Sequence, residues 1–228
     1  MSSSKIFKNY LSKFGLAIVV ALCAQVVSAQ VNVSGPRAYT EASESELGQL
    51  EDGYGIAAGG QAPDATLSSI HGEDITLSDL WQDQNVMLIF YRGGWCPYCN
   101  AQIRDITVKY DQFSERSLLP VLVSVDEPDA ASLVSAAYDV PFPIMSDSDL
   151  DGHSAYNVVL TVTEREYEAR LARGTDMEAF SGTDHHSMAV PSTFLIEKGG
   201  ELLWSHVDVD FRVRPSAKQL LEVADANL

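Results

Sequence analysis

The sequence predicts an α/β fold, a central mixed β-sheet flanked by helices. Three observations carry that prediction. Strand-length apolar runs alternate with segments of helical period through most of the chain. The run Val86-Met87-Leu88-Ile89-Phe90-Tyr91 shows no polar alternation, as expected of a buried strand. Near the C-terminus, Glu197-Lys198-Gly199-Gly200 separates the strand-like segments 192–196 and 201–207, which adds an antiparallel hairpin.

Taken in order, Lys5, Lys8 and Lys13 precede the apolar stretch 14–24, and Val27-Ser28-Ala29 supplies small residues for cleavage. Residues 1–29 are therefore expected to be a secretory signal peptide, with the mature protein exported to the periplasm or secreted. The apolar stretch is short against the ~20 residues a span requires, so no stable membrane insertion is expected after cleavage. Residues 30–59 are rich in Ser, Gly, Glu and Ala and read as a flexible acidic segment, with one short helix over 44–50. The domain is expected over 60–228. It starts with two short strands, 65–69 and 74–76, joined at His71-Gly72-Glu73 as an N-terminal β-hairpin extension. Ser78 is positioned to cap a short helix over 79–81.

The apolar run 86–91 leads into Arg92-Gly93-Gly94-Trp95-Cys96-Pro97-Tyr98-Cys99. Proline suits the first helical position because its missing N–H is unpaired there in any case. Cys99, Ile103, Ile106, Tyr110 and Phe113 then recur on one helical face. A strand over 118–125 follows, then a helix opened by Glu127-Pro128-Asp129 that runs to Tyr138. A fourth core segment spans 141–145 and a helix 148–156. A charged helix over 164–173 belongs to an insertion ending near Met188. Pro215 opens the last helix, with Leu220, Leu221 and Val223 on its apolar side.

The chain carries 15 Lys+Arg against 32 Asp+Glu, and without the three lysines of the signal 12 against 32, a formal charge of −20. Nucleic acid and anionic membrane surfaces are therefore expected to be poor partners. Cys23 leaves with the signal, so the mature chain keeps only Cys96 and Cys99. A helix N-terminus offers unpaired N–H groups and partial positive charge, both of which favour thiolate at Cys96. Cys96 is thus the candidate attacking thiolate and Cys99 the resolving thiol. Two bland readings stand beside this one. A bridge three residues apart closes too small a loop to constrain the unfolded chain much, which weakens a purely structural disulfide. Metal ligation needs a second ligand pair, and His185-His186 is the single candidate; no metal and no bound cofactor are expected. Trp95 is placed either to shield the thiolate, to form a partner surface or simply to pack; Tyr98 is placed to meet substrate from the first helical turn, and Arg92 to offset charge near the thiolate.

These residues carry a resemblance. Gly60-Gln61-Ala62-Pro63-Asp64, Val123-Ser124-Val125-Asp126, Phe142-Pro143-Ile144-Met145-Ser146-Asp147 and Pro191-Ser192-Thr193-Phe194-Leu195-Ile196, together with the C-x-x-C, resemble in order the thioredoxin superfamily. Within it the sequence is similar to the peroxiredoxin-like AhpC/TSA family, over about residues 59–226. The resemblance implies a thioredoxin-like fold with Pro191 in a cis peptide facing the cysteines. It aligns the family's peroxidatic position with Cys99 and its acid-or-amide position with Gln102. Arg92 and Cys96 then stand where the family has Pro and Thr. Pro191 stands near the place of the family's later arginine, so the hydrogen bonds that orient peroxide are expected to be missing.

Two enzymatic mechanisms follow: thiol–disulfide exchange started by Cys96, and oxidation of a cysteine by peroxide followed by condensation with its neighbour. Both imply an antioxidant or exchange enzyme acting on a protein disulfide or a peroxide. Both need an external thiol reductant, either a thioredoxin-like protein or glutathione, and Pro97-Tyr98 would tune the potential. The contrasting expectation is a non-catalytic redoxin-like binding module stapled by a permanent Cys96–Cys99 bridge.

Overall fold

The computed structural model describes residues 31–51 and 53–228, and the expected signal segment lies outside the described residues. The first elements among the described residues are two short strands, β1 (Thr40–Glu41) and β2 (Gly60–Gln61). Strands β3 (Thr66–Ser69) and β4 (Asp74–Thr76) and helix α1 (Leu77–Leu80) follow. Next, β5 (Asn85–Phe90) leads into α2 (Pro97–Val108) and α3 (Tyr110–Ser114). After β6 (Leu118–Ser124) come α4 (Pro128–Tyr138), β7 (Ile144–Ser146) and α5 (Asp151–Ala155). The insertion contains β8 (Val159–Thr161), α6 (Glu164–Leu171), α7 (Met177–Ser181) and β9 (Ser187–Ala189). The C-terminal part is β10 (Ser192–Ile196), β11 (Glu201–Val207), β12 (Val213–Arg214) and α8 (Ala217–Asn227).

Eight strands form one mixed sheet in the order β2-β11-β10-β5-β6-β7-β3-β4. The β5–β6 and β6–β7 pairs are parallel, and the other neighbours are antiparallel. The unbroken apolar run is explained by two cores. Alternate residues of a strand point to opposite faces. Met87 and Ile89 pack on one side with Ile103 and Ile106 of α2, Val134 of α4 and Leu220 of α8. Val86, Leu88 and Phe90 pack on the other with Leu77, Trp81, Tyr156 and Phe194. Each such side chain contributes about 1.5–3 kcal/mol by leaving water. The predicted strands 192–196 and 201–207 are realised as expected, with Ser192 opposite Val207.

Several expectations are corrected. Residues 31–59 do not run free of the domain: Arg37 N–H donates to the Pro97 carbonyl at 2.9 Å, and Thr40 N–H to the Arg212 carbonyl at 2.8 Å. The Tyr39 hydroxyl donates to Asp105 at 2.9 Å, and β1 pairs parallel with β12. Few large apolar residues were needed, because backbone and polar contacts seat the segment. The helix expected over 44–50 is a series of turns. The short helix over 79–81 starts two residues earlier, with Thr76, not Ser78, at the N-cap position and no side-chain cap bond from it. The last helix starts after Pro215, where Ser216 and Gln219 form a capping box. No described peptide bond is cis, so Val190–Pro191 is trans. Residues 187–196 continue from β9 into β10, with Val190 N–H held by the Val158 carbonyl, and do not make the tight turn a cis proline serves.

Candidate active site

The site sits where β5 ends and α2 begins. Gly93 takes φ +136°, a value side chains avoid, and an added Cβ would lie 2.5 Å from Trp95 Nε1 and 2.7 Å from Asp126 Oδ1. This glycine lets the chain turn sharply into the helix. Cys96 is the N-cap of α2 and Pro97 its first residue, as the spacing predicts. Asn100 fixes the loop from inside the helix, its Nδ2 donating to the Gly94 carbonyl at 2.8 Å and the Ser34 carbonyl at 2.6 Å. Ser34 in turn donates its N–H to the Gly94 carbonyl and its hydroxyl to the Trp95 carbonyl.

Both cysteines are unbridged thiols, Cys96 1% and Cys99 0% exposed. Hydrogen bonding from Cys99 pulls the Cys96 thiol down to about 5, against the cost of its burial, with help from the positive charges of Arg214 and Arg92. Burial and the neighbouring Cys96 push Cys99 the other way, well above the usual thiol range. One sulfur is therefore held as thiolate and its neighbour as a protonated donor. That is the division of labour an attacking and a resolving thiol require.

A guanidinium was expected to be missing, and the structure supplies one. Arg214 of β12 is buried and its Nη2 donates to Cys99 Sγ at 3.1 Å. Gln102 aims it: its Oε1 accepts from Arg214 Nη1 at 3.3 Å, and its Nε2 donates to the Pro215 carbonyl at 2.9 Å. The resemblance places the family's arginine near Pro191, whereas Arg214 arrives on a two-residue strand paired with β1. Pro191 itself lies beside Arg214, along a cavity of about 10 Å³ that also meets His206 and Asp208. Such a volume is the size of a single water. His206 Nε2 and Asp208 Oδ2 are 2.6 Å apart there.

Asp126 is a second residue the sequence did not single out for chemistry. It follows β6, is fully buried, and accepts the Gly94 N–H on Oδ2 at 2.8 Å. Its Oδ1 meets no donor among the described residues. Burial raises this carboxyl to about 7, with a smaller upward push from Cys96.

The remaining predicted residues gather around the same loop. Arg92 is buried, with its guanidinium 4.9 Å from the Trp95 ring and 4.1 Å from Phe211. Tyr98 is half-buried and meets Phe211 edge-on, with Arg37 over its ring. His185 and His186 do not join the cysteines. His185 Nε2 lies 3.0 Å from the Ser148 carbonyl, and His186 stacks on Tyr167 and pairs with Glu178.

Comparison with known proteins agrees with this architecture. Residues 58–205 match the AhpC/TSA family. The chain is similar to peroxiredoxin Bcp of Bacillus subtilis (strain 168), 26% identical over 172 residues that cover 75% of this chain and 98% of that protein. It is also similar to the thiol-disulfide oxidoreductase ResA of the same organism, 33% identical over 104 residues, 45% of this chain and 57% of that protein. Among solved structures, reduced Prx3 from Vibrio vulnificus in complex with H2O2 superposes with a TM-score of 0.61 at 17% identity, over 75% of this chain and 96% of that one. Peroxidoxin BcpB from Mycobacterium tuberculosis gives 0.58 at 18% identity, over 74% and 96%. These two structures share the fold.

Proposed function

The chain belongs to the AhpC/TSA family and is a thiol oxidoreductase, and we propose that its Cys96–Cys99 dithiol works by exchange with substrate disulfides. The observation that carries this reading is the opposed state of the two sulfurs, Cys96 pulled down to about 5 and Cys99 pushed up within one helical turn. The Cys96 thiolate attacks one sulfur of the substrate disulfide. A mixed disulfide forms and the first substrate thiolate leaves. Cys99 then gives up its proton and attacks Cys96, and the second substrate thiolate leaves. Arg214, already on the Cys99 sulfur, favours the thiolate that this second step needs. A thiol reductant, a thioredoxin-like protein or glutathione, returns the dithiol. The alternative of a permanent staple is disfavoured by the family match and by relatives that are peroxiredoxins and thiol-disulfide oxidoreductases.

The test is to mix reduced Cys99→Ser protein with a model protein disulfide and to look for a covalent adduct by non-reducing electrophoresis. The adduct is expected with Cys99→Ser and absent with Cys96→Ser; an adduct on Cys99 alone would overturn the assignment. Arg214 favours a second reading, peroxide reduction, because a guanidinium on a cysteine sulfur can also steady the oxygen leaving a hydroperoxide. Stopped-flow oxidation of the reduced protein by hydrogen peroxide, followed by Trp95 fluorescence, tests it. Export is part of the proposal and is supported by the signal-like pattern of residues 1–29; N-terminal sequencing of secreted material would check it.

A further inference from the structure

A cavity of about 340 Å³ opens beside the cysteine loop, at the lower end of the range for small-ligand pockets. Arg92 and Arg170 both line it, and Leu160, Pro191, Val209 and Phe211 supply apolar wall. Arg92 is only 5% exposed. Its Nε donates to Met188 Sδ at 3.2 Å, its plane is covered by Trp95 and Phe211, and no described carboxylate pairs with it. Arg170, on α6 of the insertion, has a buried Nε without an acceptor among the described residues. Burial and then the like charge of Arg92 hold the Arg170 guanidinium below its usual range. Two cations thus share one apolar-walled cavity in a chain with 32 acidic residues, and no described carboxylate lines that cavity. The Cys96 thiolate offsets part of the Arg92 charge, and Glu166 and Cys96 part of that on half-buried Arg170; an anion between the two guanidiniums would relieve the repulsion that is left.

We propose that this cavity is the substrate site for small disulfides carrying a carboxylate on an apolar body. The carboxylate is held between Arg92 and Arg170, and the body lies along Leu160, Val209 and Phe211. A bidentate guanidinium–carboxylate pair fixes orientation as well as energy. Neither cysteine lines the cavity; Arg92 is the link, since it lines the cavity while its guanidinium covers the ring of Trp95, the residue before Cys96. The proposal rests on the exchange reading. Cys96 sulfur bonds to the near sulfur of the substrate, the S–S bond breaks, and the far half leaves as thiolate. Cys99 then releases a proton to solvent and bonds to Cys96, and the held half leaves as the second thiolate. Two electrons pass from the dithiol to the substrate.

The chromogenic aromatic disulfides 5,5′-dithiobis(2-nitrobenzoate) and 4,4′-dithiodipyridine carry and lack the carboxylate but also differ in leaving group, so the change in the ratio of their rates between wild type and variant is the readout. General repulsion by a chain this acidic changes little when one cation is removed; the site predicts a fall in the ratio specific to the carboxylate disulfide. R170Q is expected to lower the ratio about tenfold, the loss of roughly one charge-assisted hydrogen bond, and R170K to restore part of it. Using the ratio cancels any change in Cys96 reactivity. A ratio that R170Q leaves unchanged would overturn the proposal. A second measurement needs no exchange chemistry: benzoate should quench Trp95 fluorescence in the wild type at concentrations where benzyl alcohol does not, and should do so less in R170Q. Failure of both disulfides to react, with benzoate binding intact, would sink the exchange reading and leave the carboxylate site standing. Equal response to benzoate and benzyl alcohol would sink the site.

Discussion

Replacing Asp126 with asparagine should remove a defined slope from the pH dependence of stability. The carboxyl ionises at 3.8 in the unfolded chain and at about 7 in the folded one, because burial penalises its charged form. A raised folded value means the group's contribution is fully present below 3.8 and is lost as pH rises through about 7. Between those limits the unfolded chain binds fewer protons, so stability falls with pH. The slope is about 1.4 kcal/mol per unit over roughly three units, or about 4 kcal/mol in all. The carboxamide oxygen of the variant can still accept the Gly94 N–H, so the loop should be retained. Its NH2 group leaves a donor unpaired in place of the orphaned Oδ1, an offset of about 1–3 kcal/mol that does not vary with pH. Urea unfolding of the reduced protein at a series of pH values between 4 and 8 isolates the slope from the offset. Wild type should lose stability toward pH 8 by about 4 kcal/mol more than Asp126→Asn does. Parallel curves for the two proteins would refute the reasoning, for they would mean that the buried carboxyl does not titrate in this range.

Arg214→Met removes the donor to the Cys99 sulfur and one of the two cations that lower Cys96, and strands Gln102 Oε1. The Cys96 titration should move up from about 5 and the second step of exchange should slow, as seen by thiol absorbance and by release of the second product thiol. Gly93→Ala is expected to cost at least about 1–3 kcal/mol in thermal or urea unfolding, since both the left-handed backbone and the contacts with Trp95 and Asp126 oppose a Cβ. Tyr39→Phe should cost about 1 kcal/mol by the same assay, through loss of its bond to Asp105.

Legibility in the sequence tracks the size of the hydrophobic signal. The run 86–91 and the face of Cys99, Ile103, Ile106 and Phe113 are readable because each residue faces one of two apolar cores. The hairpin of β10 and β11 is readable because Gly199 and Gly200 mark its turn, both at positive φ. By contrast, β1 and β12 are two residues long and held by backbone pairing, which leaves no pattern in side chains. The segment 31–59 reads as free for that reason, its anchors being carbonyls and single polar groups such as Tyr39. The two cysteines are legible from their spacing and their place at a helix start. Arg214 is not, because a lone arginine 115 residues from Cys99 gains its meaning only when β12 pairs with β1. Asp126 lies inside a recognised strand-end segment, but its value depends on the Gly93-Gly94 turn folding over it.

One sulfur of the pair is a thiolate at neutral pH while its neighbour stays protonated. Ultraviolet thiolate absorbance of the fully reduced protein, scanned from pH 3 to 10 against the oxidised form, measures this directly. One thiolate should titrate near pH 5 and be abolished in Cys96→Ser, with the second appearing only above the ordinary thiol range. Both thiols remaining protonated until about pH 8.5, the ordinary range for free cysteine, would contradict it.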